Sequence, residues 1–73
     1  MDLKLIRYFL SVAETLNFTQ ASEMNGISQP ALTKAVQKIE NEFGGRLIVR
    51  DGKNTRLTEL GQKLRNEFAD IIA

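Results

Sequence analysis

Amide, hydroxyl and ammonium side chains recur within residues 28–43, SQPALTKAVQKIENEF, at a spacing that could place them on one face of a helix. Such groups can recognise base edges, because Gln pairs with adenine, Lys binds guanine or phosphate, and the Thr methyl contacts the thymine methyl. An ordinary solvated face of an amphipathic helix has a similar composition, and this segment alone favours the simpler interpretation. The polar face comprises Gln29, Thr33, Lys34, Gln37, Lys38 and Asn41.

The same segment carries the signals of a helix that begins at Ser28 and ends at Phe43. The hydroxyl of Ser28 can cap the first turn, and Pro30 lies where a missing N–H costs nothing. Gly44 and Gly45 follow the last turn and favour a left-handed termination. The apolar residues repeat at helical period and predict the buried side, which contains Leu32, Ala35, Val36, Ile39 and Phe43.

Two further helices are predicted before this segment. Asp2 can cap a first helix that extends to about Leu16. Either Asn17 or Thr19 can cap a short second helix that ends near Asn25. A glycine-containing turn and the longer helix come next, which is the order of a helix-turn-helix. The side chains expected in the core of this pair are Ala21, Met24 and Ile27.

Residues 47–57 predict a two-stranded hairpin, or wing. An apolar, β-branched run is followed by a turn cluster that contains Gly52, and the chain then returns in extended form. Cations near the tip could reach a phosphate or a minor groove, although a solvated hairpin also carries such cations. They are Arg50, Lys53 and Arg56.

A last helix, capped by Thr58, stays apolar along one side to the end of the chain. A helix that remains apolar beyond its own core usually has a partner, so we expect self-association through this side. Fraying of a truncated end is the alternative. The predicted dimer contacts are Leu64, Phe68, Ile71 and Ile72.

Length and composition limit the chain to one small domain. The 73 residues include no Cys and no His, so the usual ligands of a structural zinc site are missing. Paired carboxylates in an apolar setting and a glycine-rich phosphate loop are also missing. We therefore expect no enzyme activity, no catalytic or metal-binding residues and no cofactor. No signal peptide or membrane span is evident, which predicts a cytoplasmic protein without a membrane partner.

Positive charge is concentrated in the middle of the chain. The formal net charge is only +1, which is low for a protein that binds nucleic acid. Residues 28–56 nevertheless hold six basic and three acidic side chains, or +3, while residues 1–27 and 57–73 each come to −1. This distribution is expected of an electrostatic footprint on a small domain, and it favours the nucleic-acid interpretation.

Several stretches together resemble the N-terminal DNA-binding domain of LysR-type transcriptional regulators. They are LKLIRYFLSVAETLNFTQAS at 3–22, SQPALTKAVQKIE at 28–40, FGGRLIVR at 43–50 and RLTELG at 56–61, in one register without gaps. The resemblance implies a mostly α fold. Residues 1–57 would form a winged helix-turn-helix of three helices plus a two-stranded wing, and residues 58–73 would begin a dimerisation linker helix. It also implies an effector domain, absent from this chain, in which a small-molecule inducer would bind.

The resemblance further implies sequence-specific binding to double-stranded operator DNA as a homodimer, with a tetramer as an option for a full-length protein. The recognition helix at 28–43 would enter the major groove, and the wing at 47–57 would lie on the backbone. A winged-helix module that binds another protein through the end of its last helix is the alternative. The contact positions implied by the motifs are Thr19, Gln20, Ser28, Gln29, Pro30, Thr33, Lys34, Arg50 and Lys53, to which the polar face and the wing add Gln37, Lys38 and Arg56.

Three departures from the family pattern affect these expectations. Lys34 stands where the family commonly has Arg, and a lysine lacks the planar fork that allows bidentate recognition. Ile48 replaces a usual Phe at the base of the wing. Met24 and Asn25 stand where a polar residue followed by Leu is usual, so the second helix could pack differently.

Overall fold

The computed structural model describes residues 2–72, which form four helices and one two-stranded antiparallel sheet. This confirms the predicted winged helix-turn-helix with a following helix. Met1 and Ala73, the outermost residues of the predicted segments 1–57 and 58–73, lie outside the described residues. No helix between residues 2 and 72 combines the length and the apolar content needed to cross a membrane. The elements are α1 (Leu3–Thr15), α2 (Phe18–Asn25), α3 (Gln29–Phe43), β1 (Ile48–Asp51), β2 (Asn54–Leu57) and α4 (Glu59–Ile72).

Short polar side chains begin the first three helices. Each accepts a hydrogen bond from a backbone N–H of the first turn, which satisfies one donor that has no partner within the helix. The cap of α2 is Asn17 rather than Thr19, so Phe18 is the first helical residue and the Thr19 hydroxyl is available for a contact with α3. The capping pairs are Asp2 with Lys4, Asn17 with Gln20, and Ser28 with Ala31.

Residues in the left-handed conformation end the same three helices. Gly26 and Gly44 have φ values of 64° and 72°, as expected of the glycines that follow α2 and α3. Leu16 ends α1 with a φ of 51°, which is unusual for a residue with a side chain. Helix α1 therefore stops at Thr15, one residue before the predicted end, and the Leu16 side chain is exposed.

The contact between α1 and α2 differs from the prediction at Met24. Its side chain is 58% exposed, so the prediction that it lies in the core is wrong. The next residue, Asn25, faces α1 instead and donates to Ser11 Oγ at 2.9 Å and to the Ala21 carbonyl at 2.8 Å. Because neighbouring residues of a helix project about 100° apart, this contact of Asn25 leaves Met24 in solvent.

Helix α4 completes the same core as the first three helices. Leu64 and Phe68 are only 3% and 5% exposed, and the Phe68 ring meets Phe9 edge-on with the ring centroids 6.0 Å apart. The prediction that Leu64 and Phe68 contact a second subunit is therefore wrong, because the chain's own helices already cover both side chains. Of the predicted set, Ile71 remains exposed and Ile72 packs partly against the core. The largest fully buried side chains are Phe9, Leu32, Ile39, Leu47 and Val12.

The backbone at the start of α4 lies close to the backbone of Leu47, which precedes β1 of the wing. Thr58 caps α4 by accepting from the Gly61 N–H at 3.0 Å, and its own N–H donates to the Leu47 carbonyl at 2.9 Å. Gly61 is buried against the same carbonyl, and a Cβ atom at this position would overlap the Leu47 oxygen. Glycine is therefore required here for α4 to lie this close to the strand.

The wing is a hairpin with a two-residue turn. Gly52 has a φ of 61°, the positive value that the first central position of a type II′ turn requires. Because successive residues of a strand project to opposite faces, the register places Arg50 and Arg56 on opposite faces of the wing. The paired residues are Ile48 with Leu57, Val49 with Arg56, Arg50 with Thr55, and Asp51 with Asn54.

Candidate nucleic-acid interface

The two sides of α3 differ as the sequence predicted. The apolar residues from Leu32 to Ile39 are buried in the core, whereas Phe43 at the end of the stripe is 43% exposed. The polar side is open to solvent, so its donors and acceptors can reach an external partner. Its exposed residues are Gln29, Lys34, Gln37, Lys38 and Asn41, and Thr33 is half-buried at its edge.

A side-chain hydrogen bond joins the first turns of α2 and α3. Gln29 Nε2 donates to Thr19 Oγ1 at 2.9 Å, and both side chains are exposed. The Gln29 amide retains a second N–H and its carbonyl oxygen, which are the donor and acceptor that pair with adenine. The Thr19 hydroxyl can still donate its own proton to a phosphate oxygen. Gln20, Ser28 and Pro30 are exposed in the same region, so this group of predicted contact residues is brought together.

The wing meets this surface through Arg50. Its guanidinium lies over the ring of Phe18, with Cζ 3.6 Å from the ring centroid. Phe18 is buried at the start of α2, so the contact joins the wing to the helix-turn-helix. Two adjoining grooves share these two residues, one with Thr33 and Gln37 of α3 and the other with Thr19, Gln29 and Lys53.

Arg56 is not part of this arrangement. It lies on the opposite face of the wing, where it lines a hollow with Leu16, the residue that follows α1, and Arg65 of α4. The prediction that Arg56 contacts DNA therefore lacks the geometric support that Arg50 and Lys53 have.

Glu40 was not among the predicted site residues, yet it attaches the wing to α3. Its carboxylate accepts from the Leu47 N–H at 2.8 Å and from the Ile48 N–H at 3.5 Å. The Arg46 side chain lies 3.5 Å from the same oxygen but is 72% exposed, so this ion pair contributes little. The only signal in the sequence is that Glu40 borders the apolar stripe of α3; the strand that it binds is distant in the chain.

The surface formed by α3 and the wing tip carries unpaired positive charge. Within residues 2–72 the one ion pair is between Arg46 and Glu40, so the four cations of this surface have no carboxylate partner there. The Glu40 carboxylate pairs with Arg46 and with backbone N–H groups, and it forms no ion pair with any of the four. A surface of this kind attracts a polyanion such as nucleic acid. The cations are Lys34, Lys38, Arg50 and Lys53.

Comparison with known proteins identifies the family. A family model described as bacterial regulatory helix-turn-helix protein, lysR family, matches residues 3–62. The HTH-type transcriptional regulator BudR of Raoultella terrigena is 41% identical over 73 residues, 100% of this chain and 25% of that protein. The HTH-type transcriptional regulator CatR of Pseudomonas putida is 45% identical over 72 residues, 99% of this chain and 25% of that protein. The chain thus spans about a quarter of the length of these relatives.

Solved structures share the fold. The crystal structure of the BenM DBD in a complex with catB site 1 DNA has a TM-score of 0.92 and 30% identity, covering 99% of this chain and 80% of that one. The CbnR DBD in a DNA complex has a TM-score of 0.92 and 29% identity, covering 99% of this chain and 83% of that one. With the family match over most of its length, the chain belongs to the lysR family of bacterial regulatory helix-turn-helix proteins.

Proposed function

We propose that this chain is a sequence-specific double-stranded DNA-binding domain of a bacterial transcription regulator. Helix α3 enters the major groove, and the wing lies on the adjacent sugar–phosphate backbone. The observation that carries the proposal is the open polar face of α3, which shares its grooves with Arg50 of the wing. The similarity to the BenM and CbnR domains, which were crystallised with DNA, supports the same assignment.

The contacts proposed for this surface are of two kinds. Gln29 and Thr33 lie on the part of α3 that faces outward beside the wing, and they read base edges. Lys34 acts as a point charge toward guanine or a phosphate, because it lacks the fork of an arginine. Lys38 and Arg50 bind phosphates, which fixes the register of the protein on the duplex without reading sequence.

We propose that a homodimer is the unit that binds DNA. A full-length protein could also assemble into a tetramer. One domain offers about 4–6 phosphate contacts, so a monomer binds weakly and with strong salt dependence. Two copies related by a two-fold axis would read two half-sites and double the number of contacts. Because Leu64 and Phe68 are buried, the exposed Ile71 and its neighbour Ile72 are the residues of the predicted set that remain for this contact.

The relatives that the chain matches are transcriptional regulators, and we propose the same non-enzymatic role here. A regulator of bacterial transcription works in the cytoplasm, where the chromosome lies. No cofactor takes part in the proposed DNA contacts. A small-molecule inducer would bind outside residues 2–72, in an effector domain of the kind that the sequence resemblance implies.

Selection of binding sites from a pool of random duplexes tests the proposal. The wild-type chain should enrich one short motif, and the double variant Gln29→Ala with Lys34→Ala should lose that enrichment. Gln62→Ala, an exposed change at the start of α4, serves as the control and should enrich the same motif as the wild type. A pool that stays random with the wild-type chain would refute sequence-specific binding. If the chain is instead a protein-binding module, its protein partner should bind the double variant and the wild type with equal affinity.

A further inference from the structure

A cation–π contact between Arg50 and Phe18 joins the wing to the start of α2. The guanidinium carbon lies 3.6 Å from the ring centroid, which is close contact for a cation over an aromatic face. We propose that Phe18 is a positioning residue for DNA binding: its ring holds the Arg50 guanidinium between the wing and α3, where a backbone phosphate of the duplex meets it already in place. This inference rests on the proposed DNA-binding function.

The chemistry of the guanidinium group allows it to stack and to bind an anion at the same time. A guanidinium whose flat face stacks on a ring keeps its N–H donors in its own plane, where they match the oxygen atoms of a phosphate. Within residues 2–72, Arg50 forms no salt bridge and donates no hydrogen bond, so these donors are available. The ring therefore fixes the position of the cation without consuming the groups that would bind DNA.

The position of the pair also suits a backbone contact. Arg50 borders the groove that contains Thr19 and Gln29, and Lys53 of the wing turn lies on the same groove. A phosphate bound at this groove would lie beside Gln29, which we propose reads a base edge. Arg56 on the other face of the wing has neither the stacking partner nor this neighbourhood.

The wing is thereby attached to the helix-turn-helix at two places. Glu40 holds the base of β1 through the N–H groups of Leu47 and Ile48, and Phe18 holds the side chain of Arg50 nearer the tip. An immobilised side chain has already lost the rotamer freedom that binding would otherwise remove. Loss of the ring should therefore weaken DNA binding by about two- to tenfold, even if Arg50 can still reach its phosphate.

The test compares Phe18→Leu, Phe18→Tyr and Arg50→Ala, with Phe9→Leu as a matched control. Phe9 is also a buried phenylalanine, but no cation from residues 2–72 lies over it, so Phe9→Leu reports the effect of a smaller core side chain alone. Affinity for one labelled mixed-sequence duplex is measured at several salt concentrations, below the unfolding temperature of every variant. Phe18→Leu should bind about two- to tenfold more weakly with an unchanged salt slope. Arg50→Ala should weaken binding and also reduce the slope by about 0.9, the value for one phosphate contact.

Three results together support the positioning role: Phe18→Tyr binds like the wild type, Phe9→Leu does not change affinity, and Phe18→Leu has no further effect when combined with Arg50→Ala. The inference is overturned if Phe18→Leu binds like the wild type, if Phe18→Tyr is as weak as Phe18→Leu, or if Phe18→Leu costs the same in the absence of Arg50. Failure of the wild-type chain to bind any duplex would instead overturn the proposed function itself, and this inference with it.

A measurement on the free protein keeps the inference testable without DNA. The ring current of Phe18 should shift the side-chain δ-proton resonances of Arg50 upfield in the NMR spectrum of the wild type and of Phe18→Tyr. The shift should vanish in Phe18→Leu. Arg50 resonances at ordinary positions in the wild type would show that the guanidinium does not rest on the ring, and the proposed positioning would fail.

Discussion

Replacing Gly61 by alanine should destabilise the domain, although the same change in most helices is favourable. Glycine in a helix interior costs about 1 kcal/mol relative to alanine, because it loses more backbone freedom on folding. Here the added methyl group would overlap the carbonyl oxygen of Leu47 and lie 3.0 Å from its carbonyl carbon and 3.3 Å from its Cα. The oxygen and carbon belong to the backbone, so no side-chain rotation can relieve the overlap.

The expected size of the effect follows from what must move. Forcing a methyl group into this contact costs about 1–3 kcal/mol by comparison with other overpacked sites. Displacing α4 from the strand also weakens the hydrogen bond from the Thr58 N–H to the Leu47 carbonyl, at about 1 kcal/mol. After the gain from replacing glycine is subtracted, the net loss is about 1–3 kcal/mol in the free energy of unfolding. For a domain of this size each kcal/mol lowers Tm by roughly 4–8 °C.

Urea unfolding followed by far-UV circular dichroism measures this loss directly. Gln62→Ala is the matched control, because Gln62 is the next residue of α4 and is exposed; its free energy of unfolding should stay within about 0.5 kcal/mol of the wild type. If Gly61→Ala is as stable as the wild type or more stable, α4 does not approach the Leu47 backbone as closely as described. That result would refute the close docking of α4 against the start of the wing.

Four further predictions concern the surface and the end of α4. Lys38→Ala should weaken binding to every duplex about equally and reduce the salt slope by about 0.9; an effect confined to one base position would contradict its phosphate role. Gln29→Ala should relax the preference at one base pair, at a cost of about 1–3 kcal/mol for the preferred site; an unchanged preference would remove Gln29 from direct readout. Glu40→Gln should lower the free energy of unfolding by about 1 kcal/mol in urea, because a charged acceptor binds the wing N–H groups more strongly than an amide oxygen; equal stability would show that the carboxylate charge is not needed. Ile71→Glu should weaken self-association in analytical ultracentrifugation relative to Gln62→Glu, and identical sedimentation of the two variants would show that Ile71 lies outside the dimer contact.

The limits of the helices could be predicted because local interactions determine them. Ser28 lies where its hydroxyl can accept from the first turn of α3, and Gly44 adopts the left-handed conformation that ends it. The same local logic named Asn17 as a possible cap for α2 and identified the wing turn at Gly52. Each of these signals involves residues within a few positions of one another.

Burial was harder to predict because it depends on neighbours that are distant in the chain. Met24 is apolar, but the next residue, Asn25, forms the contact with α1 and leaves Met24 exposed. Phe68 lies far along the last helix and therefore looked like a partner contact. It is covered because α4 folds back along α1 and reaches Phe9. Periodicity identifies an apolar side of a helix, but not the surface that buries it.

The candidate interface likewise has features that local sequence patterns predict and features that depend on distant parts of the chain. The open side of α3 followed from helical period alone, so Gln29 and Lys34 were placed correctly with respect to solvent. The position of Arg50 over Phe18, and the separation of Arg50 from Arg56, depend on strand register and on how the wing packs. These features required the three-dimensional structure.

The most direct test of the account maps which backbone amides respond when isotopically labelled protein is titrated with the duplex enriched by selection. The largest NMR chemical-shift changes should fall in the first turns of α3 and in the wing from Arg50 to Lys53, with little change along the exposed side of α1. The largest changes on α1 or α4, with the amides of α3 unchanged, would contradict the claim that the open side of α3 is the surface that binds DNA.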